Sequence, residues 1–192
     1  MAAFYQESDY ENALLELFEQ HLGYEYVCGY HIDHNVKSPL YDEVLEESIF
    51  RINKGKPYDA IKNALLTLKN FENGTLVQKN AVFTDYLQNG ISARYTENGE
   101  ERSTLIYLID WENIENNSFI CANQWTFIEN SNRRPDILLF INGLPLVLVE
   151  LKSPSREDTD ASEGYTQIRN YMHEIPSMFY YNQICVMSDQ LT

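Results

Sequence analysis

The chain divides by the spacing of its apolar positions. In the first half they recur every three or four residues, as on one face of a helix. Leu14, Leu15, Leu17, Phe18 and Leu22 form such a stripe, closed by Gly23. This predicts a helix over 8–22, with Ser8 as N-cap and Glu11 as its capping-box partner. A strand is expected over 24–30 and a polar loop over 31–43. Helical spacing returns over 44–53, over 58–69 after Pro57, and over 77–89 before Gly90.

Beyond Gly90 the pattern changes to alternation and unbroken apolar runs. Strands are expected over 91–96 and 104–109, around a Glu97-Asn98-Gly99-Glu100-Glu101 turn, and again over 118–128. Two runs, 135–141 and 146–152, flank Asn142-Gly143, a pair that favours the tight turn of a β-hairpin. Both are apolar at almost every position, as in strands covered on both faces at the centre of a sheet. A helix over 161–174, stopped by Pro176, and a short strand over 184–187 complete the pattern. No internal repeat is evident.

Three charges interrupt the hairpin. Asp136 opens its first strand, and Glu150 and Lys152 close the second. A carboxylate in such a setting costs several kcal/mol unless compensated. Strand side chains alternate, so Glu150 and Lys152 share a face, and pairing about the turn brings Asp136 to the same end. Two carboxylates are hard oxygen ligands suited to Mg²⁺, with the Leu151 carbonyl between them as a further ligand. A neighbouring ammonium can orient a water or stabilise charge on a phosphate. A plain buried ion pair of Lys152 with either carboxylate is the alternative. Gln167 and Tyr171 lie one turn apart on the following helix, as a companion motif or as a solvated face.

Composition adjusts this picture. The chain has 192 residues, 44% of them apolar, with 29 acidic and 14 basic residues and a net charge of -15. This suits one globular domain, and the acidity argues at first against nucleic acid. No stretch approaches the roughly 20 apolar residues of a membrane span, and the N-terminus lacks the basic flank and apolar core of a signal peptide. A cytoplasmic location and no membrane partner are expected. Cys28, Cys121 and Cys185 are far apart and read as reduced thiols. His31 and His34 have a metal-ligand spacing but fall in a loop without further ligands.

The block Asn132-Arg133-Arg134-Pro135-Asp136 through Glu150-Leu151-Lys152 resembles the nuclease motif of type I restriction enzyme R subunits. The opening segment, with Glu7, Glu11, the leucine stripe and Gly23-Tyr24, resembles their N-terminal helix. The resemblance spans essentially the whole chain and is most specific over 132–188. It implies an α/β fold of the PD-(D/E)xK, RecB-type class, a mixed central sheet flanked by helices. Within 1–192, a helical insertion would occupy about 44–89 and a catalytic core about 91–188. It implies that Asp136, Glu150, Leu151 and Glu11 (with Glu7 as fallback) serve a Mg²⁺ site. Lys152 would position the attacking water, and Gln167 and Tyr171 would orient the lysine or touch DNA. Arg133, Arg134, Arg156 and Arg169 are the cations available to phosphates.

The implied activity is hydrolysis of double-stranded DNA after ATP-driven translocation, with modification and specificity subunits as partners. No Gly-x-x-x-x-Gly-Lys-[Ser/Thr] is present, so ATP would bind elsewhere in a longer protein of which this chain is a fragment. A stand-alone RecB-like or junction-resolving nuclease and a non-catalytic acidic module are the rival readings. The charge objection weakens on counting. Residues 1–50 hold 11 acids against Lys37 alone, whereas residues 131–170 hold five basic and six acidic residues, two of them the proposed ligands.

Overall fold

The leucine stripe forms α1 (Glu7–Leu22), and it is followed by β1 (Glu25–Cys28). The computed structural model describes residues 7–152 and 161–188. Ser8 lies inside α1 rather than capping it, because the helix is already formed at Glu7. Three helices follow: α2 (Asp42–Ile52), α3 (Tyr58–Lys69) and α4 (Leu76–Asn89). On α3 the stripe Ala60, Ile61, Ala64, Leu65 and Leu68 is buried. The start of α4 is fixed by a capping box in which the Thr75 hydroxyl accepts from the Gln78 N–H and the Gln78 side chain accepts from the Thr75 N–H. These helices and the antiparallel pair β2 (Ile91–Glu97) and β3 (Glu100–Ile106) enclose one core around Leu45, Ile49, Leu68 and Phe83.

The expected strand over 118–128 divides into β4 (Phe119–Asn123) and β5 (Phe127–Ile128). Gln124 adopts a positive φ of 53° between them, and Trp125 turns fully into the core. A two-residue strand, β6 (Asn132–Arg133), pairs with β5. The hairpin comprises β7 (Ile137–Ile141) and β8 (Leu144–Leu151), joined by Asn142 and Gly143 at φ 52° and 77°. Positive φ at both central residues is what a type I′ turn requires. A register shift at Leu139/Phe140 places Pro145 beside an irregularity, where its missing N–H is tolerated. Then come α5 (Ala161–Glu174), the short α6 (Met178–Tyr181), absent from the sequence reading, and β9 (Ile184–Ser188).

The central sheet has the order β1-β4-β7-β8-β9 and is mixed: β1 with β4 and β8 with β9 are parallel, the two inner pairings antiparallel. The fold is therefore α/β with a mixed sheet flanked by helices, as expected. Alternation sorts its residues. Cys121, Ile137, Leu139, Val149 and Leu151 pack with Leu15 of α1 on one face, and Ile120, Ala122, Leu138, Phe140 and Leu148 pack with Ile168, Tyr171 and Ile175 of α5 on the other. β1, β4, β8 and β9 all end at the same edge, where β7 begins. Strand C-termini in open α/β sheets are the usual place for a ligand. Among the described residues no helix is long and apolar enough to cross a membrane.

Candidate active site

Ile137 pairs with Val149, so the next level of the sheet sets Asp136 beside Glu150. Asp136 Oδ2 accepts a hydrogen bond from the Leu151 N–H at 2.7 Å, which fixes its carboxylate across the mouth of the hairpin. In a strand a residue's N–H and C=O face the same neighbour, so the Leu151 carbonyl is also directed to the Asp136 side. Glu150 is only 1% exposed. The Lys152 ammonium donates to Glu150 Oε1 at 2.8 Å and to Gln167 Oε1 at 2.7 Å. Gln167 Nε2 then donates to the Tyr171 hydroxyl at 2.9 Å. Tyr171 is itself buried. Its phenol is held well above its ordinary pKa by burial first and the Glu150 charge next, with Asp136 and a hydrogen bond to Glu150 adding, so it stays neutral.

Glu150, Lys152, Gln167 and Tyr171 therefore form a hydrogen-bonded chain linking β8 to α5. The helical spacing of Gln167 and Tyr171 puts both on the sheet-facing side, where the sequence alone left a solvated face open. The ion-pair alternative for Lys152 is also realised, with Glu150, but inside a larger arrangement. Two carboxylates against one ammonium leave a net negative charge at a largely buried spot, and every donor atom is a hard oxygen, a set that fits Mg²⁺. Among the described residues no group of three or more His, Cys, Asp and Glu side chains is placed to hold a metal, so the protein's carboxylate share would be these two.

The remaining candidates are dispersed. Glu11 is half-buried on α1, and its carboxylate accepts from Asn123 Nδ2 at 2.7 Å. Asn123 in turn accepts from the Tyr26 hydroxyl at 3.0 Å. Asn123 is level with Ile137, on the face of the sheet opposite Glu150, so the described bond ties Glu11 to the neighbouring strand rather than to the carboxylate pair. The Arg133 guanidinium forms a two-pronged ion pair with Glu174. Arg134 is exposed and bonds the Tyr30 hydroxyl. Arg169 donates to the Tyr165 hydroxyl on α5 at 3.2 Å. Arg156 and the side chain of Glu7 lie outside the described residues. Residues that the sequence reading missed include Asn123, Tyr26 and the pair Tyr10–Ser188, whose hydroxyls meet at 2.7 Å across 178 positions. No local pattern announces bonds of that span. His34 is a packing residue, its ring stacked on Trp125 at 4.0 Å. The three cysteines are free, and burial pushes the Cys121 thiol up to about 11.

Residues 4–192 match the family model of the type I restriction enzyme R protein N terminus. The HindI type I restriction enzyme endonuclease subunit of Haemophilus influenzae is 33% identical over 193 residues, covering 95% of this chain and 18% of that protein. A putative type I restriction enzyme endonuclease subunit of Methanocaldococcus jannaschii, MjaIXP, is 33% identical over 191 residues, covering 94% of this chain and 18% of its own length. A type I endonuclease subunit of Staphylococcus aureus is 28% identical over 193 residues. The chain thus spans under a fifth of the length of these relatives.

Proposed function

The chain belongs to the type I restriction enzyme R protein N-terminus family, and on that premise we propose that it is the Mg²⁺-dependent endonuclease unit of a restriction–modification enzyme. The observation that carries this reading is the hydrogen-bonded chain of Glu150, Lys152, Gln167 and Tyr171 lying beside Asp136. A structural ion pair needs only Glu150 and Lys152. Here the ammonium is held from two sides next to a second carboxylate at a sheet edge. The fold is read as PD-(D/E)xK, with a core of about 91–188, a helical insertion of about 44–89, and β1 joining the sheet from before the insertion.

Asp136, Glu150 and the Leu151 carbonyl would hold the ion. When bound, Mg²⁺ lowers the pKa of water and neutralises charge developing on a phosphate. An ammonium has three N–H donors. Glu150 and Gln167 take two of those of Lys152, and we assign the third to the attacking water or a phosphate oxygen. Gln167 and Tyr171 act as positioning residues: a neutral tyrosine hydroxyl holds the amide, and the amide holds the ammonium. The substrate is double-stranded DNA. Translocation, ATP binding, and assembly with modification and specificity subunits belong to the remainder of a longer R subunit working in the cytoplasm.

Calorimetric titration of Mn²⁺ or Mg²⁺ into the protein tests the metal assignment. Binding that is lost in Asp136→Ala supports it. Binding that is equal in wild type and Asp136→Ala returns the chain to an acidic interaction module.

A further inference from the structure

We propose that Tyr30 and Arg134 form a strand-seating pair, which grips a backbone phosphate and the adjoining nucleotide of the DNA beside the carboxylate site. The inference rests on the nuclease reading above and adds to it a contact made by residues remote in sequence.

Cys28 at the end of β1 is level with Asn123 of β4, which is level with Ile137 of β7. Tyr30 lies two residues beyond Cys28, and Arg134 two residues before Asp136, so both stand at the edge of the sheet that carries Asp136, Glu150 and Lys152. The Tyr30 loop is held to the neighbouring strand. The Gly29 N–H donates to the Asn123 carbonyl at 2.9 Å, and His31 N–H to the Cys28 carbonyl at 2.9 Å. A Cβ on Gly29 would lie 2.5 Å from the Gln124 carbonyl oxygen, so only glycine allows this approach. Farther along, His34 stacks on the buried Trp125, and the Val36 carbonyl accepts from the Ile128 N–H at 2.7 Å. A loop fastened at these points could have buried its aromatic side chain; instead it presents Tyr30 at 65% exposure.

Charge distinguishes Arg134. The side chains of Arg51, Arg94, Arg102 and Arg133 all have carboxylate partners. Arg134 is paired with an aromatic phenol instead: its guanidinium carbon is 5.3 Å from the Tyr30 ring centroid and one N–H bonds the hydroxyl. Such a partner orients the guanidinium without neutralising it. Its other N–H donors match a phosphate in two-pronged fashion, while the exposed ring offers an apolar face to the adjoining deoxyribose. Arg169 and Tyr165 form a similar pair, but helical geometry places them on the side of α5 away from Gln167.

The test uses the intact protein, with DNA binding read by anisotropy on a short duplex in Ca²⁺ at several salt concentrations and cleavage read separately in Mg²⁺. Arg134→Ala should weaken binding about tenfold, as loss of a charge-assisted hydrogen bond does, and lower the salt slope by about one. It should raise KM and leave kcat near wild type. Arg134→Lys should restore the slope. Tyr30→Ala should weaken binding, and Tyr30→Phe, which keeps the ring and loses the bond to Arg134, should weaken it less. Unchanged affinity and slope in Arg134→Ala, or Tyr30→Ala binding as wild type, overturns the pair. The binding arm stands apart from catalysis: Asp136→Ala cutting normally would fault the nuclease reading, whereas Asp136→Ala inactive with Arg134→Ala binding as wild type would fault only this inference.

Discussion

Lys152 takes its position from Glu150 on its own strand and from Gln167 on the next helix, and Tyr171 holds Gln167 in turn. Removing the far end of that chain should loosen the near end. Tyr171→Phe keeps the buried ring and deletes the hydroxyl, so kcat for cleavage should fall about tenfold to a hundredfold, as for other outer-layer partners of a metal site, with KM little changed. A fall confined to KM would place Tyr171 in DNA contact instead. The Glu174 carboxyl is held below its usual range, chiefly by its hydrogen bond with Arg133. A lowered folded pKa stabilises above the unfolded value, about 4.3 for Glu, and that stabilisation is lost as pH falls through the lowered one. Urea midpoints of Glu174→Gln should therefore lie below wild type at neutral pH and converge with it in acid. Asp136, Glu150 and Lys152 were legible because buried charges in apolar strands demand a reason and alternation assigns them a face. The commitment of Arg133 to Glu174 was not, since the two residues are 41 positions apart and meet only in the fold.

At the scale of elements, the Asn142-Gly143 turn shows how much a local signal understates. The dipeptide predicts the hairpin, and the left-handed conformations are present. But Asn142 is also buried, and its side chain donates to the Leu108 carbonyl at 2.9 Å and to Asn117 Oδ1 at 2.8 Å while accepting from the Ser118 N–H at 2.8 Å. It thereby ties the central hairpin to the segment that follows β3. Asn142→Ala should cost about 1–3 kcal/mol for the unsatisfied buried groups alone, read from urea unfolding. Gly143→Ala should be at least as damaging, because a Cβ there would lie 2.6 Å from the backbone at Tyr41 and Leu45 and φ is 77°. The helices and the central strands follow from periodicity. The break at Gln124 does not: the polar pair Asn123-Gln124 interrupts the run, but nothing local says that Trp125 leaves the strand to fill the core beneath His34.

For the whole molecule, the acidity and the active edge have to be reconciled. Residues 1–50 supply 11 acids and one lysine, and among the described residues seven of the cations outside that region have carboxylate partners. Affinity for DNA comes mainly from neutralised phosphates. This chain on its own should therefore bind duplex weakly and cut it poorly, and vigorous Mg²⁺-dependent cutting by residues 1–192 would contradict that. On the proposed reading, the surfaces that hold DNA along its length would lie in other parts of a longer R subunit. The central claim, that one sheet edge carries the phosphodiester-cleaving groups, is tested most directly by plasmid cleavage in the intact subunit with ATP hydrolysis followed in the same reactions. Asp136→Ala, Glu150→Ala and Lys152→Ala should each abolish cleavage while ATP turnover continues; wild-type cleavage by any of the three would contradict the account.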